Sequence, residues 1–182
     1  YLMDRPEKAY SPTLPRFRKS QLAPKEIGAP PMGITAENLV EKYNISREEQ
    51  DAFSLQSQQK MARAMEEGRF EEQIVPIYIP TRKGEPIEFK VDEHPRPETT
   101  KEGLEKLPAV FLNGGTVTAG SSSGLNDAAS VVVIMSREKA NQLGITPLAV
   151  VRAQAVAGVD PNMMGIGPVP ATEKLLKKAG IA

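Results

Sequence analysis

Gly115-Thr-Val-Thr-Ala-Gly-Ser-Ser-Ser-Gly-Leu-Asn-Asp-Ala-Ala-Ser-Val-Val-Val-Ile-Met135 holds two unlike patterns in one stretch. Its Ser/Gly segment, 120–124, reads as a tight turn, because glycine and short hydroxyl side chains suit reversal of the backbone. Val131 to Met135 is a short apolar run rich in β-branched residues, and it reads as a strand buried on both faces. Asn126-Asp127 lies directly before that run. The pair suits either a turn closed by side-chain bonds to backbone or carboxylate chemistry, and residue type alone favours the turn.

Working outward, helical and extended patterns alternate, which gives an α/β class. Downstream, Ser136 suits the cap of a helix ending at Gly144. Leu148 to Ala157 reads as another apolar strand, and 172–179 as a last helix stopped by Gly180. Upstream, Thr99 with Glu102 forms a capping-box pattern before a short helix through Leu104 and Leu107. Ile74 to Ile79 and Ile87 to Val91 alternate with period two, and Lys83-Gly84 between them suits a hairpin turn. Pro76 confines the first of these strands to an edge. Ser46-Arg-Glu-Glu49 is a capping box opening a helix over about 47–67, with Phe53, Ser57, Met61, Ala64 and Met65 as its apolar stripe and Gly68 as its stop. Thr35 suits the cap of a shorter helix carrying Leu39, Val40 and Tyr43. Residues 1–31 carry six prolines and read as an irregular arm.

Composition removes several function classes. Acidic and basic residues balance at 23 each, so no net charge draws the chain to nucleic acid. It has no cysteine and one histidine, His94, which leaves no disulfide, no thiolate metal site and no cysteine nucleophile within these residues. No apolar run reaches the ~18 residues of a membrane span, and no signal peptide is visible. The first residue is Tyr1 rather than Met, which reads as a piece of a longer protein or a processed product.

The polar loops stay ambiguous on residue type. Gly120-Ser-Ser-Ser-Gly124 could cradle an anion, but no Gly-Lys-Ser/Thr follows and the next element reads as a strand, so a P-loop is disfavoured. Arg96 stands between Pro95 and Pro97 as a surface charge or as a guanidinium able to stack on a purine. Met163-Met-Gly-Ile-Gly-Pro-Val-Pro170 is a bend whose methionines fill gaps. His94 reads as a surface or capping histidine.

The order of these loops resembles the thiolase family. Met32-Gly-Ile-Thr-Ala-Glu37, Ser46-Arg-Glu-Glu-Gln-Asp-Ala-Phe53 and Gly68-Arg-Phe70 with Ile74-Val-Pro76 resemble its loop domain. Gly115-Thr-Val-Thr-Ala-Gly120 followed by Ser123-Gly-Leu-Asn-Asp127 resembles its signature turn and strand. Gly158-Val-Asp-Pro161 with Met164-Gly165 and Gly167-Pro168 resembles the opening of its second half. The resemblance spans the chain in order and points to the bacterial acetyl-CoA acetyltransferase kind.

What the resemblance implies is specific. The parent fold would be a five-layered α-β-α-β-α core of two similar halves, with a loop domain inserted in the first. Residues 1–120 would be the loop domain with a preceding arm, 121–147 the end of the first half, and 148–182 the start of the second. Two acetyl-CoA would condense to acetoacetyl-CoA and CoA, reversibly, through a cysteine acyl-enzyme. None of the family's Cys-x-Ser-Gly, Asn-Glu-Ala-Phe-Ala, Gly-His-Pro or Cys-x-Gly-Gly-Gly motifs stands in these residues, so no catalytic residue is assigned and the isolated chain is expected to be inactive.

CoA contacts carry over one by one: Ser123 to the pantetheine arm, Ala119, Gly120 and Leu125 as its backbone and apolar neighbours, Arg96 against adenine, and Met32 and Met164 along the pantetheine tunnel. CoA and acetyl-CoA are substrates; no metal or covalent cofactor is expected. A cytoplasmic homodimer or homotetramer is implied, without nucleic acid or membrane, and the basic arm near Arg16 and Lys19 lies where assembly contacts would form. Pro31 stands where biosynthetic members often have histidine, which leaves the acyl-chain preference open. The alternatives are a 3-ketoacyl-CoA thiolase of fatty-acid degradation and a non-catalytic CoA-binding or assembly module.

Overall fold

The computed structural model describes residues 2–4, 16–18, 24, 26–28, 30–124, 126 and 128–181. The chain divides into two units, Tyr1–Lys42 with Met135–Ala182, and Tyr43–Ile134.

In the first unit, β1 (Leu2–Asp4) and β2 (Arg16–Arg18) pair antiparallel, with Met3 opposite Phe17. That corrects the expectation of an irregular arm for these six residues; most of the rest of 1–31, Lys19 included, lies outside the described residues. Helix α1 (Met32–Tyr43) begins three residues before the expected cap. Pro31 supplies the first acceptor, taking the Ile34 N–H at 2.9 Å, so Thr35 falls inside the first turn and its hydroxyl donates back to Met32 O at 2.7 Å. Later in the chain, Asp160 caps a 3-10 helix over Pro161–Ile166 by accepting the Asn162 N–H at 2.8 Å. Helix α1 packs on this turn. Asn38 Nδ2 donates to Asn162 O at 2.9 Å, and a Cβ added at Gly165 would stand 2.8 Å from Leu39 Cδ1.

In the second unit, α2 (Arg47–Glu66) opens with the expected capping box. The Glu49 N–H donates to Ser46 Oγ at 3.1 Å, and the Ser46 N–H donates to Glu49 Oε2 at 2.8 Å. It stops where Gly68 takes φ +68°, a left-handed conformation that costs glycine nothing. Its buried positions are Asp51 and Ser54, whereas Phe53 of the expected stripe is exposed. Met61, Ala64 and Met65 of that stripe are half-buried and Ser57 is exposed, so the stripe is covered in its second half only. β3 (Ile77–Ile79) and β4 (Ile87–Phe89) form the expected hairpin, with Tyr78 opposite Glu88 and Gly84 at φ +100° in the turn. Helix α3 (Lys101–Glu105) is capped by Thr100, which accepts the Gly103 N–H at 3.1 Å; the cap is one residue later than expected, and Thr99 instead donates to Arg96 O at 2.7 Å.

Back in the first unit, α4 (Arg137–Gln142) is capped by Ser136 as expected, and Gly144 at φ +65° follows its end. Helix α5 (Pro168–Ala179) starts earlier than the expected 172, because Pro168 at its first position needs no N–H partner, and it closes on Gly180 at φ +67°.

Two expectations fail. Residues 131–135 and 148–157 were expected as strands, the former buried on both faces, but neither joins a ladder among the described residues. Val131 is 93% exposed and Leu148 wholly so. The apolar sequence is that of a buried strand, but no described segment of this chain offers a neighbouring row of backbone donors and acceptors. Two long bonds from α5 reach the second segment: Lys174 Nζ donates to Val156 O at 3.4 Å and Lys178 Nζ to Gln154 O at 3.3 Å.

Candidate functional site

The second unit gathers four of the seven expected CoA positions around one loop. Ala109 and Thr118 form an isolated antiparallel bridge, and the Val110 N–H donates to Val117 O at 3.0 Å. The reversal between them closes through Gly115 N–H to Leu112 O at 3.0 Å, with Gly114 at φ +72°. The chain then turns about Thr118, which is 0% exposed.

Thr118 organises the turn through both backbone and side chain. Its N–H donates to Ser121 Oγ at 3.0 Å, and its Oγ1 accepts the Gly120 N–H at 3.1 Å. Its carbonyl accepts the Ser122 hydroxyl at 2.7 Å and the Ser121 hydroxyl at 3.3 Å. The Ser/Gly segment is thus a self-bonded turn, as residue type suggested, with its hydroxyls at 121 and 122 turned to its own backbone. Ser123 and Ala119 are exposed beside it, and Gly120 is half-buried.

Gly120 rests on the end of α3. A Cβ there would stand 2.5 Å from Leu104 Cδ2 and 2.9 Å from Leu107 Cδ1, so only glycine fits that approach without displacing them. Gly124 approaches His94 in the same way: an added Cβ would lie 2.8 Å from His94 Cε1 and 2.6 Å from Asn126 Oδ1. That contact brings the loop carrying Arg96 against the loop carrying Ser123. The Arg96 N–H donates to Gln58 Oε1 at 2.9 Å, fixing its backbone on α2 while the residue stays exposed. The fifth loop position, Leu125, and Asp127 lie outside the described residues, and Asn126 is exposed.

Met32 and Met164 belong to the first unit. Met32 is the exposed first residue of α1, and half-buried Met164 sits in the 3-10 helix that α1 packs upon. Arg96, Ala119 and Ser123 are exposed, with Gly120 half-buried among them. A groove of about 410 Å³ lies at the base of the hairpin between Met65, Phe70, Ile74, Pro76, Lys90 and Val91.

Beside that groove Glu88 bonds Lys90 at 2.7 Å and accepts the Tyr78 hydroxyl at 3.1 Å. Lys90 first, and Tyr78 second, hold the Glu88 carboxyl below its ordinary value, while Glu88 raises both the Tyr78 hydroxyl and Lys90. Among the described residues no group of three His, Cys, Asp or Glu side chains is placed to hold a metal, and no helix is long and apolar enough to cross a membrane.

Sequence reasoning missed three residues of this site. Thr118 was one apolar-flanked threonine among several, Gln58 one of many helix glutamines, and Arg47 only a member of a capping box. The one available signal was the i,i+4 spacing of Arg47 and Asp51, which places their side chains together on a helix.

The thiolase N-terminal domain family matches residues 20–138, and the thiolase C-terminal domain family matches 145–182. Acetyl-CoA acetyltransferase of Chromobacterium violaceum is 54% identical over 149 residues, covering 82% of this chain and 38% of that protein. The Pseudomonas aeruginosa protein of the same name is 57% identical over 149 residues, with the same shares. The crystal structure of Bacillus anthracis acetyl-CoA acetyltransferase superposes with a TM-score of 0.77 at 50% identity, over 86% of this chain and 39% of that one. Human mitochondrial 3-ketoacyl-CoA thiolase gives 0.75 at 49% identity, over 84% and 38%. This chain spans a little over a third of the length of such relatives. Its fold is the α/β fold of the corresponding part of a thiolase, and the chain belongs to the thiolase family.

Proposed function

We propose that these residues are the CoA-binding portion of an acetyl-CoA C-acetyltransferase, which condenses two acetyl-CoA to acetoacetyl-CoA and CoA and runs in reverse as a thiolase. The observation that carries this reading is the 54–57% identity to acetyl-CoA acetyltransferases across four-fifths of the chain. The geometry supports it locally: a pre-bonded turn presents Ala119, Gly120 and Ser123 beside the pinned backbone of Arg96. CoA is a long handle, and contacts remote from the thioester hold the reacting end in place. In this reading Ser123 bonds the pantetheine arm, Ala119, Gly120 and Leu125 flank it, Arg96 lies against adenine, and Met32 and Met164 line the tunnel near the acyl group.

The acyl transfer itself needs a thiolate to carry the acyl group and a second group to move the proton. With no cysteine, these residues supply no such thiolate. Residues 1–120 are read as loop domain and arm, 121–147 as the end of the first half and 148–182 as the start of the second, in a cytoplasmic homodimer or homotetramer. Calorimetric titration of the 182-residue chain with CoA tests the reading. Saturable binding weakened by Ser123→Ala and Arg96→Ala supports it; no binding at millimolar CoA ends it. Acetoacetyl-CoA cleavage by the chain alone would refute the division of labour.

The likeness to human mitochondrial 3-ketoacyl-CoA thiolase favours a second reading, a degradative enzyme taking longer 3-ketoacyl chains. A chain-length series of 3-ketoacyl-CoA substrates on the intact enzyme separates the two. A preference for acetoacetyl-CoA supports the first.

A further inference from the structure

The turn around Thr118 is closed by its own residues, but the floor beneath it is not. Leu104 and Leu107, whose methyl groups meet Gly120, sit at the end of α3 and just beyond it, where the Leu104 carbonyl accepts the Leu107 N–H at 3.0 Å. Arg47 adds a side-chain tie to both carbonyls. Its Nη2 donates to Leu104 O at 2.7 Å and to Leu107 O at 3.0 Å, across 57 and 60 residues of sequence. Its Nε donates to Asp51 Oδ2 at 2.8 Å.

The partner carboxylate is unusually committed. The Asp51 side chain is 4% exposed, and its Oδ1 has no hydrogen-bond partner. Asp51 Oδ2 is the atom that orients the guanidinium. The planar guanidinium thus holds the carboxylate with Nε and both carbonyls with Nη2, a division between two fixed nitrogens that a lysine's single ammonium does not reproduce.

We propose that Arg47 is a positioning residue for the candidate CoA loop: aligned by Asp51, it fixes the Leu104 and Leu107 carbonyls and thereby the floor on which Gly120 rests. The role of that loop rests on the CoA-binding reading above; the mechanical link does not. A tie serving only general stability would loosen α2 and the loop together. A positioning residue acts on the loop first.

The test compares Arg47→Met and Arg47→Lys with the wild-type 182-residue chain, reading amide hydrogen exchange and CoA titration. In Arg47→Met the Thr118 and Gly120 amides should exchange about tenfold faster or more, with amides in 57–65 within about twofold of wild type. CoA affinity should fall roughly tenfold, since a displaced loop loses its alignment with the ligand. Arg47→Lys should fall between, keeping the ion pair but not the fork. Equal acceleration along α2 and the loop would overturn the proposal, as would unchanged Thr118 and Gly120 exchange. Should Arg47→Met not fold, Arg47→Lys decides alone: wild-type exchange at both loop amides overturns it. If the wild-type chain does not bind CoA, the functional reading fails while the exchange comparison still decides the link between Arg47 and Gly120.

Discussion

Residues 115–124 and 128–135 are neighbours in sequence and opposites in structure. In the first segment Thr118, Gly120, Ser121 and Ser122 bond one another, Thr116 Oγ1 accepts from Gln50 Nε2 at 2.9 Å, and the floor under Gly120 comes from the same unit. The second segment is more apolar, yet Val131, Val132, Val133 and Ile134 are exposed and unladdered. Hydrophobicity alone therefore does not make a strand. A β ladder needs a second row of donors and acceptors, and a turn can bring its own.

The contrast breaks most sharply at the tie under the self-sufficient segment. Asp51→Ala leaves the Arg47 guanidinium without its aligning partner in a mostly buried place. Because Arg47 retains 22% side-chain exposure and two carbonyl bonds, the cost should be about 2–4 kcal/mol, toward the lower part of the range for broken buried pairs. Urea denaturation followed by circular dichroism measures it, and a loss under half a kcal/mol would mean the tie is not structural.

Gly120→Ala should come next. The added methyl meets Leu104, which is 5% exposed and has little room to move, so overpacking should cost about 1–3 kcal/mol. Gly124→Ala is the control. Its neighbours are His94 and Asn126, both exposed and able to swing aside, so the loss should stay below about 1 kcal/mol. Equal losses at the two glycines would refute the floor.

The hairpin offers a third kind of region, paired but wholly at the surface, and its effect should be smaller. Glu88 has a carboxyl held below its ordinary 4.5 by Lys90 and then Tyr78. A depressed carboxylate stabilises the fold above its unfolded value, and that contribution disappears as pH falls through the lower folded value. Thermal melts should therefore show a modest acid-side loss below about pH 4.5 that Glu88→Gln removes in part. Tyr78 and Lys90, both raised, contribute in the opposite window and lose their share as pH climbs above their raised folded values.

The sequence was legible where structure is local. The Ser46 box, the Ser136 cap, the hairpin turn at Gly84 and the stops at Gly68, Gly144 and Gly180 all depend on residues within a turn of one another. Thr35 and Thr99 misled because a threonine can cap a helix, bond back inside it, or close the loop before it, and the choice depends on where the first helical acceptor falls. The candidate site was legible as loops, through their order and family likeness, but not as a joined surface. The meeting of Gly124 with His94, and the reach of Arg47 to Leu104 and Leu107, span 30 and about 60 residues of sequence, and no local pattern encodes them. The buried strand at 131–135 was misjudged for a related reason: its pattern describes the environment such a segment fits, and these described residues do not provide it.

The smallest expected effect is the most informative about that environment. In the 182-residue chain Val132→Ser replaces an exposed, unladdered side chain, so its stability should change by no more than about 0.5 kcal/mol. Amides across 131–134 should exchange far faster than those of Thr118 and Gly120, which donate to Ser121 Oγ and Thr118 Oγ1, because 131–134 join no ladder among the described residues. Were the segment instead docked against a second copy of the chain, the same substitution would cost about 1.5–3 kcal/mol for a valine lost from an apolar contact, and exchange would slow with protein concentration. The two outcomes differ in whether exchange depends on protein concentration as well as in size. The 131–134 segment thus reports directly on whether its apolar face has found the neighbours that the Thr118 turn does not need.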